Sequence, residues 1–118
     1  MPSRDNRQRY DLQIYRGADY CKDAWVKTKN QQGQKVAYDI TGWTAKAEIR
    51  PSENSAILTQ EITCSITPEQ GLIHMEIIGQ NTAKIAPGIY FWDLKTSFEG
   101  SLCYYVYGKV YVDGRVTE

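Results

Sequence analysis

The 118-residue chain is predicted to fold as an all-β protein, an antiparallel β-sandwich or barrel of seven or eight strands. Three observations support this prediction. Short segments alternate between apolar and polar residues, as half-buried strands do. Turn residues separate these segments at intervals of about 8 to 12 residues, a spacing typical of sandwiches and barrels. No long helical pattern lies between them, which argues against a parallel α/β sheet.

The chain divides into an arm and one domain. Residues 1–9 (MPSRDNRQR) are polar and are expected to form a flexible N-terminal arm, because termini stay disordered unless something ties them down. Residues 10–118 have the length of one domain and are expected to form a single β-sandwich.

The first half of the domain contains three extended segments. Residues 10–15 (YDLQIY) alternate, and a second segment at residues 20–28 directs Trp25 away from the core. Residues 43–50 (WTAKAEIR) alternate most clearly, with apolar residues on one face and charged residues on the other. Pro51 ends this strand because proline cannot donate a ladder hydrogen bond.

The second half continues the alternation. Residues 72–78 (LIHMEII) form a strand with Ile73, Met75 and Ile77 inward. A single helical turn is expected around residues 82–85, before the helix-stopping Pro87 and Gly88. Residues 89–97 form the next strand, and the FEGS sequence after them predicts a hairpin loop.

The last strand, LCYYVYGKVYV, places large side chains on both of its faces. The smaller and more aliphatic face is predicted to pack on the core; it carries Leu102, Tyr104, Val106, Gly108, Val110 and Val112. The other face is predicted to point outward; it carries Cys103, Tyr105, Tyr107, Lys109 and Tyr111, with Phe91 beside them on the preceding strand.

Composition excludes several classes of function. The formal net charge is zero and the pI is near 6.6, so no specific nucleic-acid binding is expected. We predict no cofactor and no metal site, because a single His and scattered Cys residues give no ligand set. No apolar run is long enough to span a bilayer, and the N-terminus has no signal-peptide core.

The three cysteines, Cys21, Cys64 and Cys103, are widely spaced and match no zinc or redox motif. An odd number in a chain without a secretory signal favours reduced thiols in a protein made in a cytosol. A disulfide between two of them stays open at this point.

Catalytic candidates are few. His74 alternates outward from its strand and is expected to be an ordinary solvated histidine. Asp93 lies among aromatic residues and is the best candidate for a functional carboxylate, although the favoured interpretation is that it faces outward or pairs with Lys95 or with a neighbouring strand. We therefore predict that the protein is not an enzyme.

The outward aromatic residues allow three interpretations. They could brace the sheet through cross-strand pairs, bind another protein, or form a platform on which a sugar stacks. Protein binding is favoured, because Tyr and Trp are enriched at interface hot spots. The predicted contact residues are Trp25, Phe91, Tyr105, Tyr107 and Tyr111, together with Arg4, Arg7 and Arg9 of the arm.

The order of segments resembles a class of small phage virion structural proteins. It is similar to the N-terminal domain of phage baseplate upper proteins. The matching pieces are a Gly after the first strand, an aspartate-led turn into an A-x-I-R strand, a G-x-Y strand, and a closing valine-rich strand. They correspond here to Gly17, residues 39–42, 47–50 and 88–94, and residues 108–117.

The resemblance implies an immunoglobulin-like β-sandwich that serves as a structural part of a virion and carries no catalytic residues. Such a protein would be made in the host cytoplasm and would dock onto other virion proteins, as a symmetric homo-oligomer. A tail or baseplate adaptor or connector is the first expectation. A capsid cement (decoration) protein is the alternative, and a carbohydrate-binding module is a more distant one.

Overall fold

The computed structural model describes residues 7–114, which form ten β-strands, one short α-helix and one turn of 3-10 helix at Pro68–Gln70. The all-β prediction is confirmed. The elements are β1 (Arg7–Arg9), β2 (Leu12–Tyr15), β3 (Tyr20–Trp25), β4 (Lys27–Lys29), β5 (Lys35–Ala37), β6 (Thr44–Arg50), β7 (Gln60–Thr67), β8 (Leu72–Ile77), α1 (Gly79–Thr82), β9 (Gly88–Phe98) and β10 (Ser101–Asp113).

Eight of these strands form one curled sheet. Its order is β1-β10-β9-β6-β7-β8-β3, and β2 also pairs with β10. β4 and β5 form a separate two-stranded hairpin. Residues 60–62 of β7 pair with β6, whereas residues 63–67 pair with β8. β7 therefore passes from one layer to the other, and the sheet folds back on itself as a sandwich-like structure.

The core lies between the two layers and follows the predicted alternation. β8 buries every second residue, and β6 buries Ala47 and Ile49, as expected from the sequence. Because every second residue of a strand points to the same face, each of these strands contributes one apolar row to the interior. The buried apolar residues are Leu12, Ile14, Ile40, Ala47, Ile49, Ile62, Ile73, Met75, Ile77, Ile85, Trp92, Leu94, Val106, Val110 and Val112.

β9 and β10 form the predicted hairpin. Phe98 pairs with Ser101 across the two-residue turn Glu99-Gly100, in which both residues have positive φ angles of 51° and 84°. Turns of this kind match the twist of the flanking strands. The prediction that Leu102 faces the core is wrong, since it is 62% exposed. An irregularity in the register between Leu102 and Tyr104 interrupts the alternation there.

The N-terminal strands require a correction. β1 and β2 both pair with β10 in parallel, although an antiparallel sheet was predicted throughout. Residues 7–9, which the sequence assigns to the flexible arm, lie in β1. An unpaired strand edge offers N–H and C=O groups that a segment of either direction can use. Residues 1–6, including Arg4, lie outside the described part of the chain.

Two hydrogen bonds fix Tyr10 and Asp11, the residues that separate β1 from β2. The Nε1–H of Trp92 donates to the carbonyl oxygen of Tyr10 at 2.7 Å, and the N–H of Lys109 donates to Asp11 Oδ1 at 2.9 Å. The Lys109 hydrogen bond lowers the pKa of Asp11 below its ordinary value. Gly108 lies opposite Trp92, and a Cβ at Gly108 would collide with the Tyr10 carbonyl.

The helix lies three residues earlier than predicted, at Gly79–Thr82. Asp19 accepts a hydrogen bond from the N–H of Gly79 at 2.6 Å, and buried Thr82 donates to the carbonyl of Ala18 at 2.9 Å. These two bonds tie the helix to the turn between β2 and β3. The position of that turn, rather than the local sequence, therefore sets where the helix begins.

Replacing Trp92 by Ala should lower the free energy of unfolding by about 3 to 5 kcal/mol, the usual cost of removing a large core aromatic. Trp92→Phe keeps most of the volume but leaves the Tyr10 carbonyl without its donor, and should cost about 1 to 3 kcal/mol. Chemical denaturation of the two variants measures both losses. Equal stability of Trp92→Ala and the wild type would contradict this packing.

Replacing Gly108 by Ala should displace the N-terminal strands, because the added Cβ collides with the Tyr10 carbonyl. Overpacking of this kind costs about 1 to 3 kcal/mol. Hydrogen exchange should show faster exchange in residues 7–15, while β8 in the other layer stays protected. Unchanged protection of residues 7–15 would mean that this close approach does not position β1 and β2.

Candidate interaction surfaces

The outer face of β6, β9 and β10 carries a groove of about 180 Å³. We call it the tyrosine groove. Three of the predicted contact residues, Phe91, Tyr105 and Tyr107, meet there. The rings of Tyr105 and Tyr107 are stacked, with centroids 5.7 Å apart and planes inclined by 20°. The lining residues are Arg50, Ser52, Glu53, Asn54, Phe91, Trp92, Asp93, Tyr105, Tyr107 and Gly108.

Charged side chains form one network with the tyrosines. Asp93 Oδ2 accepts from Arg50 Nη1 at 3.5 Å and from the Tyr105 hydroxyl at 3.4 Å. Arg50 also forms an ion pair with Glu48. The side chains of Arg50, Glu48 and Asp93 are between 15% and 23% exposed, so water screens them less than it screens ordinary surface charges.

The same network affects the Tyr105 phenol. Burial, and then the charge of Asp93, raise the pKa of Tyr105 above its ordinary value. Asp93 pairs with Arg50 on the neighbouring strand β6 and not with Lys95. Pairing with a neighbouring strand was one of the outcomes that the sequence favoured. Tyr105 remains a hydrogen-bond donor that fixes one side of the groove.

The other predicted contact residues lie elsewhere. Tyr111 is on the same face of β10, opposite Ile89, and is 37% exposed outside the groove lining. Trp25 lies at the end of β3 in the other layer and is 47% exposed. Arg9 is in β1, where its Nε lies 3.4 Å from Asp11 Oδ1. The predicted set is thus divided between separate surfaces.

Trp25 borders a second cavity, which we call the tryptophan cleft. It has a volume of about 210 Å³ and opens between the edge of β3 and the edge of β1 and β10. Lys22 Nζ lies 4.0 Å from the centre of the Tyr10 ring across this opening. The lining residues are Gln8, Tyr10, Lys22, Asp23, Ala24, Trp25, Met75, Trp92, Tyr104 and Val106.

Sequence reasoning missed the loop that borders the tyrosine groove. Ser52, Glu53 and Asn54 belong to the loop between β6 and β7 and complete one wall. The outward position of Glu48 and Arg50 follows from their alternation in β6. No pattern in the local sequence predicts that this loop lines the groove, because its contact with β9 and β10 depends on the three-dimensional fold.

The remaining candidates for chemistry are dispersed. His74 on β8 has Nδ1 2.6 Å from Asp23 Oδ1 at a half-exposed position in the layer away from Asp93. None of Cys21, Cys64 and Cys103 forms a disulfide within the described residues, and burial raises the pKa of Cys64 to about 11. Within residues 7–114, neither a cluster of metal ligands nor a helix able to cross a bilayer is found.

Comparison with known proteins gives no family. No protein-family model matches the chain, and no curated protein matches it. Among solved structures, Listeria monocytogenes InlP is similar over 91% of this chain, with 11% identity and a TM-score of 0.49. A family 123 glycoside hydrolase from Clostridium perfringens is similar over 92%, with 12% identity and a TM-score of 0.37.

The chain spans only 27% of the first of these proteins and 23% of the second. Likeness at this level of identity and superposition does not transfer a function. The interaction surfaces are therefore interpreted from their own chemistry.

The stability of the fold should fall as the pH rises from about 10 to about 12. Burial raises the pKa of Tyr20 to about 12, above its ordinary value of 10.0. In this range the unfolded chain releases the Tyr20 proton and the folded chain keeps it, so rising pH favours unfolding. Denaturation of the wild type and of Tyr20→Phe at pH 9 and pH 11.5 measures the effect. An equal loss of stability in both proteins would exclude Tyr20 as a cause.

Proposed function

We propose that this protein is a non-enzymatic structural component of a phage virion, which docks onto neighbouring subunits as a tail or baseplate adaptor or connector. The observation that carries the proposal is the tyrosine groove. Phe91, Tyr105 and Tyr107 lie together on the outer face of a sheet whose inner face already supplies the core. The order of sequence segments, which resembles that of phage virion proteins, supplies the virion context.

The groove has the chemistry of a protein-binding surface. Stacked tyrosines offer a large apolar area together with hydroxyl groups, which is the combination found at interface hot spots. Arg50 and Asp93 are already held in place by each other, so little side-chain freedom remains to be lost when a partner covers them. A rigid aromatic patch with fixed charges suits a permanent contact between structural subunits.

Within the same class, a capsid cement protein is the alternative. The groove, the arm and the open strand edges are as compatible with a shell as with a tail. The number of copies per particle separates the two, because tail positions follow a threefold or sixfold axis while cement proteins follow the much larger number of capsid sites.

A carbohydrate-binding module is the second candidate. The observation that favours it is the polar side chains Arg50, Asn54 and Asp93 beside the stacked tyrosines, which could orient a sugar. Saturable binding on a glycan array, lost in Tyr105→Ala, would establish this function in place of docking.

Replacing Tyr107 by Ala should leave the fold nearly intact and lower the number of copies in purified virions by about tenfold or more, as for a central interface residue. Quantitative mass spectrometry of particles that carry the variant measures this loss. Tyr15→Ala is the matched control, since Tyr15 is 49% exposed on β2, away from the groove.

Two results would contradict the proposal. The first is absence of the wild-type chain from purified particles while it is abundant in the lysate. The second is incorporation of Tyr107→Ala at the wild-type level. If Tyr107→Ala instead unfolds as Trp92→Ala is expected to do, the assignment of the two faces of β9 and β10 is wrong.

A further inference from the structure

The two layers of the sandwich are joined on the side where β7 passes between them, which we call the closed side. This side carries an exposed apolar projection. The loop between β6 and β7, residues 51–59, contains two adjacent aliphatic residues that face solvent: Ile57 is 69% exposed and Leu58 is 48% exposed. The loop is internally bonded, because the Ser55 hydroxyl accepts from the N–H of Ile57 at 3.0 Å. The Thr59 N–H donates to the carbonyl of Ile49 at 2.8 Å and fixes the end of the loop.

The opposite side, where the two layers end in the edge strands β1 and β3, is the open side and carries the tryptophan cleft. The tryptophan cleft lies where β3 and β1 approach each other without pairing, and Trp25 and Tyr10 are each 47% exposed at its rim. Its inner wall reaches the buried residues Met75 and Val106. A small aliphatic side chain that entered this cleft would contact the hydrophobic core directly.

The two sides are complementary in charge. Residues 24–38 contain three lysines, Lys27, Lys29 and Lys35, and no acidic residue. Residues 51–61 contain two glutamates, Glu53 and Glu61, and no basic residue. Association of these segments would therefore bring opposite charges together around an apolar contact.

Electrostatic repulsion between these lysines destabilises the hairpin of the isolated chain. Lys29 and Lys35 are directly opposite each other in the β4–β5 hairpin, where like charges destabilise pairing. Lys27 and Lys35 line clefts that adjoin Trp25, one of which also contains Glu69; with Lys22 and Asp23 of the tryptophan cleft, the lysines still outnumber the carboxylates around Trp25 by four to two. No carboxylate of residues 7–114 forms an ion pair with any of these three ammonium groups. An acidic segment of a second molecule would offset this repulsion.

We infer that copies of this chain associate head to tail, with the β6–β7 loop of one copy inserted into the tryptophan cleft of the next. Ile57 and Leu58 contact Trp25 and Tyr10, while Glu53 approaches the lysines of the β4–β5 hairpin. The inference deepens the proposed structural function, and rests on it for its biological role, by naming a second copy as one partner. The β6–β7 loop lies on the closed side of the sandwich and the cleft lies on the open side. The loop of one copy therefore cannot enter the cleft of the same copy.

The contact is heterologous, since two different surfaces meet. Such contacts produce a ring when the rotation between copies closes and a filament when it does not. Each copy keeps its tyrosine groove for a different partner, apart from the wall that residues 52–54 provide. The head-to-tail contact would thus repeat the groove at regular positions around an axis or along a line.

The test uses the purified full chain in analytical ultracentrifugation. At 50 mM salt, the wild type should grow beyond a monomer as its concentration rises, and 500 mM salt should weaken this association because the charges are exposed. Ile57→Asp removes the projection and Trp25→Ala removes the rim of the cleft. Each variant alone should weaken association by about tenfold or more. Tyr15→Asp is the matched control, since Tyr15 is 49% exposed on β2, lines neither the cleft nor the loop, and should not change association.

Mixing Ile57→Asp with Trp25→Ala is the decisive arm. Each variant keeps one intact surface, so the mixture should form a one-to-one dimer and nothing larger. A wild type that stays monomeric at 50 mM salt overturns the inference, even if it then binds an acidic peptide or a nucleic acid. Failure of the mixture to dimerise also overturns it. Neither result bears on incorporation through Tyr107, so failure of this contact and failure of the virion proposal are distinguishable.

Discussion

Strand β10 is the element on which the rest of the structure depends. It pairs with β9 along one edge, and its residues 105–107 and 110–113 pair with the two N-terminal strands along the other. Its inner face supplies Val106, Val110 and Val112 to the core, and its outer face supplies two tyrosines to the groove. Because successive side chains of a strand point to opposite faces, the same alternation creates both the stability and the candidate site.

The alternation made much of this fold predictable. The buried rows of β6 and β8, and the division of β9 and β10 into inner and outer residues, follow from apolar residues at every second position. The meeting of Phe91, Tyr105 and Tyr107 was predictable for the same reason, since a hairpin brings outward residues of adjacent strands side by side. Local sequence carried these features because each depends on one strand or on one hairpin.

Other features depended on contacts between distant segments. The parallel pairing of β1 with β10 joins residues about 98 positions apart, and only the unpaired edge of β10 selects it. Leu102 is exposed because the register between β9 and β10 is irregular there. The alternation of apolar and polar residues in the sequence does not predict this irregularity. The loop wall of the tyrosine groove and the tryptophan cleft both arise where separate layers meet, so their residues look like ordinary loop and edge residues in the sequence.

The two surfaces suggest a division of labour in a repeating structure. One surface is a rigid aromatic groove with paired charges, and the other is a projection and a cleft on opposite sides of the molecule. In the proposed assembly, each copy would bind the next through the projection and the cleft, and the tyrosines of the groove, although not its wall of residues 52–54, would stay available for a different subunit. Such an assembly would cover the exposed aromatics that occur on both layers of the sandwich.

Oxidative footprinting of tyrosine and tryptophan side chains, in the isolated chain and in the assembled particle, measures whether a partner covers the outer face of β10. If a partner covers the tyrosine groove, Tyr105 and Tyr107 should react in the isolated chain and become protected in the particle, while buried Trp92 is protected in both states. Equal oxidation of Tyr105 and Tyr107 in the two states would show that the outer face of β10 stays open to solvent and binds no virion partner.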